Sequence, residues 1–281
     1  MVRVAVAQFD PHLADRASNL ARIEQLIEAA ASQSAALVVF PECAMTGYVF
    51  NSLDEALAEA ESVPGEASDR IAAACAKHRI HAVAGMLERV EDRCYNAALL
   101  VGPHGIESVY RKTHILCLGV DRFTTPGEGP YRVITLPFGR VGVLICYDLR
   151  FPEPARALAL AGAQAILLPT NWPQSSSIQA DVFTRSRAAE NRVFVLAADR
   201  VGRERGATFL GRSQIVNPAG DVLREASRSD TEMLIADIDL GEADHKHVIV
   251  RAGEHEMDCF TDRHPELYGI LAGTPVGAGG R

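Results

Sequence analysis

The chain of 281 residues contains no uninterrupted apolar run near the roughly 20 residues that a bilayer-spanning helix needs. It also lacks a basic excess. Against 36 Asp and Glu stand 28 Lys and Arg, a formal net charge of -8, which excludes the footprint of a nucleic-acid binder or a membrane-surface helix. The first residues, from Met1 to Phe9, show no charged start, long apolar stretch and small-residue cleavage site, so a cytoplasmic location is expected. Cysteines are few. Of the six, the nearest pair, Cys75 and Cys94, lie 19 residues apart, too far for CxxC or zinc-ribbon spacing, so free thiols are expected. The nine histidines form no HExxH or HxxxH, and no structural metal is expected. No GxxxxGK[ST] cradle is present. The stretch Gly211-Arg212-Ser213-Gln214-Ile215 lacks the second glycine of a serine-hydrolase elbow.

What is present is apolar material: 48% hydrophobic residues and only 23% charged, enough for a sizeable core and too much for a disordered chain. Strand-like and helix-like segments alternate from the start. Val2–Gln8 reads as a strand, and Ser18–Ser34 as a helix whose Leu20, Ile23, Ile27 and Ala30 recur at three- and four-residue steps. Ala36–Phe40 is an apolar strand that Pro41 ends. A helix over Ala67–Lys77, a strand over Ile80–Leu87 and a hairpin of Tyr95–Val101 with Glu107–Tyr110 follow. After a loop at 113–130 come strands Tyr131–Leu136 and Arg140–Cys146 and helix Pro154–Ala161. Strand Ala165–Leu168, helix Ile178–Asn191 and strand Val193–Ala198 complete this run. A hairpin of Gly211–Val216 with Asp221–Leu223 and a last clear strand, Thr231–Ile238, follow; His245 and His247 read as solvated loop residues. The pattern predicts an α/β fold of sheets covered by helices, with no dividing linker over 1–268 and a Gly-rich tail at 269–281.

Three strand ends carry chemistry. Strand Arg140–Cys146 leads into Tyr147-Asp148-Leu149-Arg150-Phe151-Pro152-Glu153, which places a thiol where α/β folds build sites and frees the following N–H groups for an oxyanion. Taken alone, Cys146 reads first as a buried core cysteine. The strand before Glu42 ends in a carboxylate, and Tyr110-Arg111-Lys112 ends in cations; each alone reads as a solvated strand end. Together they supply a nucleophile, a general base and an electrostatic stabiliser for acyl transfer.

Phe40-Pro41-Glu42, Tyr110-Arg111-Lys112 and Cys146–Glu153, in that order and separated by 70 and 34 residues, resemble the three catalytic motifs of the nitrilase, or carbon–nitrogen hydrolase, superfamily. The resemblance covers most of the chain: Val4–Gln8, Thr46–Tyr48, Tyr95–Gly105, Arg187–Asn191, Gly211–Leu223 and Arg263–Tyr268 are family-like. It implies a four-layer α-β-β-α sandwich, usually dimerised, and a cofactor-independent reaction. Cys146 would attack the carbonyl carbon, with Glu42 as base and Lys112 and the N–H of Tyr147 holding the oxyanion. Many family members carry a second glutamate after the lysine. Here the carboxylate nine residues on is Asp121, read as that group's equivalent or as a solvated loop charge.

Tyr147, together with Asn171 and Trp172 after strand Ala165–Leu168, is expected to contact substrate in the pocket, although Trp172 reads equally as a packed indole. The stretch after Cys146 resembles amidase branches, which implies small linear carboxamides or carbamoyl compounds as substrates. An aliphatic nitrilase, a catalytically silent binding or scaffold member, and an acyl transferase to an amine are the alternatives.

Overall fold

The computed structural model describes residues 1–273; residues 274–281 of the expected tail lie outside the described residues. In chain order the strands and helices begin with β1 (Val2–Gln8), α1 (Arg16–Ser32), β2 (Leu37–Val39), α2 (Leu53–Glu59), α3 (Glu66–His78), β3 (His81–Val90), β4 (Arg93–Gly102) and β5 (Gly105–Arg111). They continue with β6 (Val133–Leu136), β7 (Gly139–Val143), α4 (Pro152–Leu160), β8 (Ala165–Pro169), α5 (Thr184–Asn191) and β9 (Phe194–Ala198). The short pair β10 (Arg203–Glu204) and β11 (Ala207–Thr208) precedes β12 (Gln214–Val216), β13 (Val222–Glu225) and β14 (Glu232–Ile238), and β15 (His247–Arg251) and β16 (His255–Asp258) come last.

Two six-stranded sheets result, in the orders β14-β1-β2-β3-β4-β5 and β13-β12-β9-β8-β7-β6. Each has a parallel centre, β1-β2-β3 or β7-β8-β9, flanked by antiparallel strands. The central strands are apolar on both faces because both are covered. Ala5, Ala7, Val38, Ala82, Ala84 and Met86 meet Leu20, Ile23 and Ile27 of α1 and Ile71 of α3 in one core. The opposite faces of β1, β2 and β3 pack on β8 and β9. Across the second sheet, α4 and α5 form the outer layer; Gly142 of β7 is bare because Leu158 of α4 lies where its Cβ would project. The architecture is thus a four-layer α-β-β-α sandwich, and it directs the carboxyl ends of β2, β7, β8 and β9 to a common region.

The contacts divide the chain into two compact units, Met1–Asp244 and His245–Arg281. Within the second, β15 and β16 form an antiparallel hairpin in which His247 faces Asp258 and pairs with Glu256 at 2.8 Å. His247 is therefore a strand residue, not the loop histidine expected, and Thr231–Ile238 is not the last strand.

Three further differences have local causes. Strand β7 stops at Val143 instead of reaching Cys146, since Cys146 takes φ +46° and opens a tight 3-10 turn, Cys146–Arg150. The helix expected over Ile178–Asn191 begins as a wide π turn, Gln179–Phe183, before α5. Helix α2 carries a start signal in Ser52, whose hydroxyl accepts from the N–H of Glu55 at 3.1 Å, but its seven residues are too few to show periodicity.

Candidate active site

Beyond β2, Phe40 still pairs with Val83, and the Pro41-Glu42-Cys43 turn then lies flat on β3. Gly85 donates to the Pro41 carbonyl at 3.1 Å and accepts from Met45 at 3.2 Å. A Cβ at Gly85 would stand 2.3 Å from the Cys43 nitrogen and 2.5 Å from the Pro41 oxygen, so only glycine allows this approach. Cys43 completes the turn at φ +48°. The result is a Glu42 carboxylate turned inward and fully buried.

Lys112 follows β5 by one residue, its N–H donating to the Asn96 carbonyl of β4 at 2.8 Å. Its ammonium lies 2.7 Å from Glu42 Oε1 and 2.6 Å from Asp121 Oδ2, and all three side chains are buried. Asp121 sits in the Gly119–Phe123 3-10 turn, which the Val120 N–H anchors to the Tyr48 carbonyl at 2.7 Å. Its burial contradicts a solvated loop charge. Asn96 closes the cluster, its Nδ2 donating to Glu42 Oε1 at 2.7 Å and to Asp121 Oδ1 at 2.8 Å.

Cys146 enters from the other sheet, 6% exposed. Asp148 fixes its turn by accepting from the Ile145 N–H at 3.0 Å. The same carboxylate accepts from Tyr110 Oη at 2.7 Å, Thr113 Oγ1 at 3.1 Å and the His114 N–H at 3.0 Å. Asp148 thereby ties the Lys112 segment to the Cys146 turn. From α5, Arg187 donates to the carbonyls of Leu149 and Arg150, both at 3.0 Å, and holds the turn from behind.

Burial dominates the electrostatics. It pushes the Cys146 thiol well above its ordinary range, with Glu42 adding to the rise and Lys112, Thr170 and the Asn171 N–H opposing it. Burial thus favours the protonated sulfur, and a neighbouring base is what would activate it. Burial also raises Glu42, with a further push from Asp121, against the pull of Lys112 and Asn96. Lys112 is driven down by burial, yet Asp121 and Glu42 overcome this and raise it well above the ordinary lysine range. A fixed ammonium therefore stands beside a carboxylate made more basic than usual.

Thr170 and Asn171 follow β8, and both are buried; Trp172 is buried too and held by its N–H on Asp199 Oδ1 at 2.9 Å. Both polar side-chain atoms of Asn171 and the Trp172 Nε1 are buried with no hydrogen-bond partner among the described residues. Tyr147 is partly exposed and meets Phe151 edge-on at 5.2 Å. Sequence reasoning missed Asn96, Asp148 and Thr170 as parts of this cluster. A lone amide inside the apolar strand 95–101 was the available sign for Asn96.

A family model described as carbon-nitrogen hydrolase matches residues 3–247. A protein called nitrilase from Pyrococcus abyssi is 39% identical over 95% of this chain and 99% of its own length. An omega-amidase from Danio rerio is 33% identical over 85% of this chain and 88% of its own. Among solved structures, a mutant of the amidase from Nesterenkonia sp. AN1 superposes with a TM-score of 0.80 at 26% identity, covering 96% of this chain and 100% of that one. That mutant carries the product of Michael addition of acrylamide at its active-site cysteine.

Proposed function

The chain belongs to the carbon–nitrogen hydrolase family, and from that premise we propose that it hydrolyses the C–N bond of small linear carboxamides or carbamoyl compounds through a thioester on Cys146. The observation that carries this is the buried Lys112 ammonium, held at 2.7 and 2.6 Å by Glu42 and Asp121 and acting electrostatically on the Cys146 sulfur.

In the first step Glu42 takes the thiol proton as the sulfur attacks the carbonyl carbon, and the C=O π pair moves to oxygen. Lys112 and the Tyr147 N–H stabilise that oxyanion. As the tetrahedral intermediate collapses, the C–N bond breaks and Glu42 returns the proton to nitrogen, so ammonia leaves and a thioester remains. Water then gives its proton to Glu42 and attacks the thioester. The C–S bond breaks, the acid is released and the proton returns to sulfur. Water suffices as acceptor, so no cofactor is needed. In this scheme Asn171 and Trp172 bind substrate, as buried groups with hydrogen-bonding capacity to spare.

The nitrilase name and 39% identity of the Pyrococcus abyssi relative favour a second reading, thiol attack on a nitrile carbon by the same groups. Ammonia release from short amides, ω-amides, carbamoyl amines and aliphatic nitriles separates the two. Amides giving the fastest cysteine-dependent release support the amidase; nitriles alone giving ammonia would move the chain to nitrile hydrolysis. No ammonia from any compound would leave a hydrolase of larger substrates or a binding or scaffold protein.

Asp121 is read as the second carboxylate, supporting Lys112. Replacing it by alanine leaves the ammonium one partner short, and kcat is expected to fall at least about 100-fold. Asp121→Glu keeps the charge and retains more activity than the alanine variant. Equal kcat values for the two variants would remove Asp121 from this role.

We also take residues 1–268 as a single catalytic domain acting as a cytoplasmic homodimer. Exposed apolar side chains in the outer helical layer, Leu160 at 46%, Ile178 at 43% and Val182 at 45%, support the dimer. Light scattering should then give twice the 30.3 kDa of one chain. Among the described residues no helix is long and apolar enough to cross a membrane.

A further inference from the structure

The geometry points to Asn96 as a positioning residue that decides which oxygen of Glu42 takes the proton. It and Lys112 saturate Oε1 and leave Oε2 for chemistry. This rests on the hydrolase proposed above and goes beyond it by assigning a role to a residue outside the nucleophile, base and lysine.

The contacts form a closed ring. The Asn96 Nδ2 has two hydrogens, and both are used: one on Glu42 Oε1 at 2.7 Å, the other on Asp121 Oδ1 at 2.8 Å. The Lys112 Nζ spans the same two carboxylates, at 2.7 Å from Glu42 Oε1 and 2.6 Å from Asp121 Oδ2. The amide cannot be turned round, because its oxygen would then face two carboxylates. As placed, that oxygen instead meets the Cys43 Sγ at 3.7 Å. The Asn96 carbonyl also takes the Lys112 N–H, so one residue sets both the main chain of the lysine and the spacing of its two counter-charges.

Glu42 Oε2 is the exception. It is buried and has no hydrogen-bond partner among the described residues, while Oε1 accepts from both Asn96 and Lys112. With Oε1 saturated, Oε2 is the oxygen free to take a proton from the sulfur and pass it on. The ionisable groups acting on or feeling this carboxylate are Lys112, Asp121, Cys43, Tyr48, Cys146 and Asp199. Asn96 is neutral, so its effect is separable from theirs: it favours the ionised form by hydrogen bonding alone.

Two variants test this. Asn96→Leu removes both donors at similar volume, and Asn96→Ala removes them with a smaller side chain that adds no charge. Thermal melts establish which of them folds; if the leucine variant does not, the alanine variant decides. A folded variant is expected to lose about 10- to 100-fold in kcat, the scale of a hydrogen bond to a charged group. KM should change less than about threefold. The acid limb of kcat/KM should move to higher pH by roughly one unit, because the carboxylate has lost a group that favoured ionisation.

Iodoacetamide alkylation of Cys146, followed by mass spectrometry across pH, gives a second readout that needs no substrate. Its rate profile should shift in the same direction. A folded variant with wild-type kcat and an unmoved acid limb would overturn the positioning role. If the wild-type protein releases no ammonia from any amide, the hydrolase proposal fails. The alkylation profile then decides Asn96 alone: a shifted profile supports its hold on Glu42, and an unshifted one ends it.

Discussion

Cys146→Ala is expected to abolish amide hydrolysis, with kcat falling on the order of 10⁶-fold, the scale on which a nucleophile and its base fail as a unit. The fold should survive, because the change removes one sulfur from a residue at the edge of the core. Backbone strain adds a second expectation at this position. Cys146 holds φ +46°, a conformation that costs a residue with a Cβ about 1–2 kcal/mol. Cys146→Gly should therefore be equally inactive yet more stable than Cys146→Ala by about 1 kcal/mol in urea denaturation. Equal stability of the two would mean that the turn relaxes once the sulfur is gone. Measurable turnover in either would remove the cysteine from the mechanism.

Lys112→Met is expected to damage both activity and stability. The substitution leaves two buried carboxylates, both bonded to Asn96, with no cation between them. Removing one partner from a buried ionic cluster costs about 3–5 kcal/mol, and loss of an oxyanion donor costs about 10²–10³-fold in kcat on its own. The pH dependence has a definite sign. Burial and Asp121 already raise Glu42 above its ordinary value, and without Lys112 it rises further. The folded variant then binds more protons than the unfolded chain above the ordinary glutamate pKa, so its stability falls as pH rises through that window. The variant should be closer to wild type at pH 5 than at pH 8 in denaturant melts. Wild-type stability at pH 8 would mean that the lysine does not hold the two carboxylates together.

Glu42, Lys112 and Cys146 stood out in the sequence because each follows a strand, within one to three residues of its end. The apolar runs pointed to sheets covered by helices, whereas the four-layer order was implied by the family resemblance. Leu20, Ile23 and Ile27 mark the helix face that meets Ala5, Val38 and Ala84. What the sequence hid depends on distance along the chain or on single dihedral angles. The bonds from Asn96 to Glu42 and Asp121 join residues 54 and 25 positions apart, and no local pattern encodes them. Asp148 bonds Tyr110, Thr113 and His114 from more than 30 positions away, which no local pattern shows. The apolar run Val141–Ile145 continues past the true end of its strand, because a positive φ at Cys146 leaves no trace in hydropathy. The β15–β16 hairpin is short and largely exposed, so it has no buried face to announce it. Asp121 could be assigned only by its burial, which follows from how the turn from Gly119 is anchored beside Tyr48.

A partition experiment tests the acyl-enzyme most directly. The best amide and the methyl ester of the same acid are each hydrolysed with hydroxylamine present, using wild-type protein and Cys146→Ala. If both pass through one thioester on Cys146, the ratio of hydroxamate to free acid is the same for amide and ester, and neither product forms with the variant. A ratio that depends on the leaving group, or products that persist without the sulfur, would contradict a Cys146-bound intermediate.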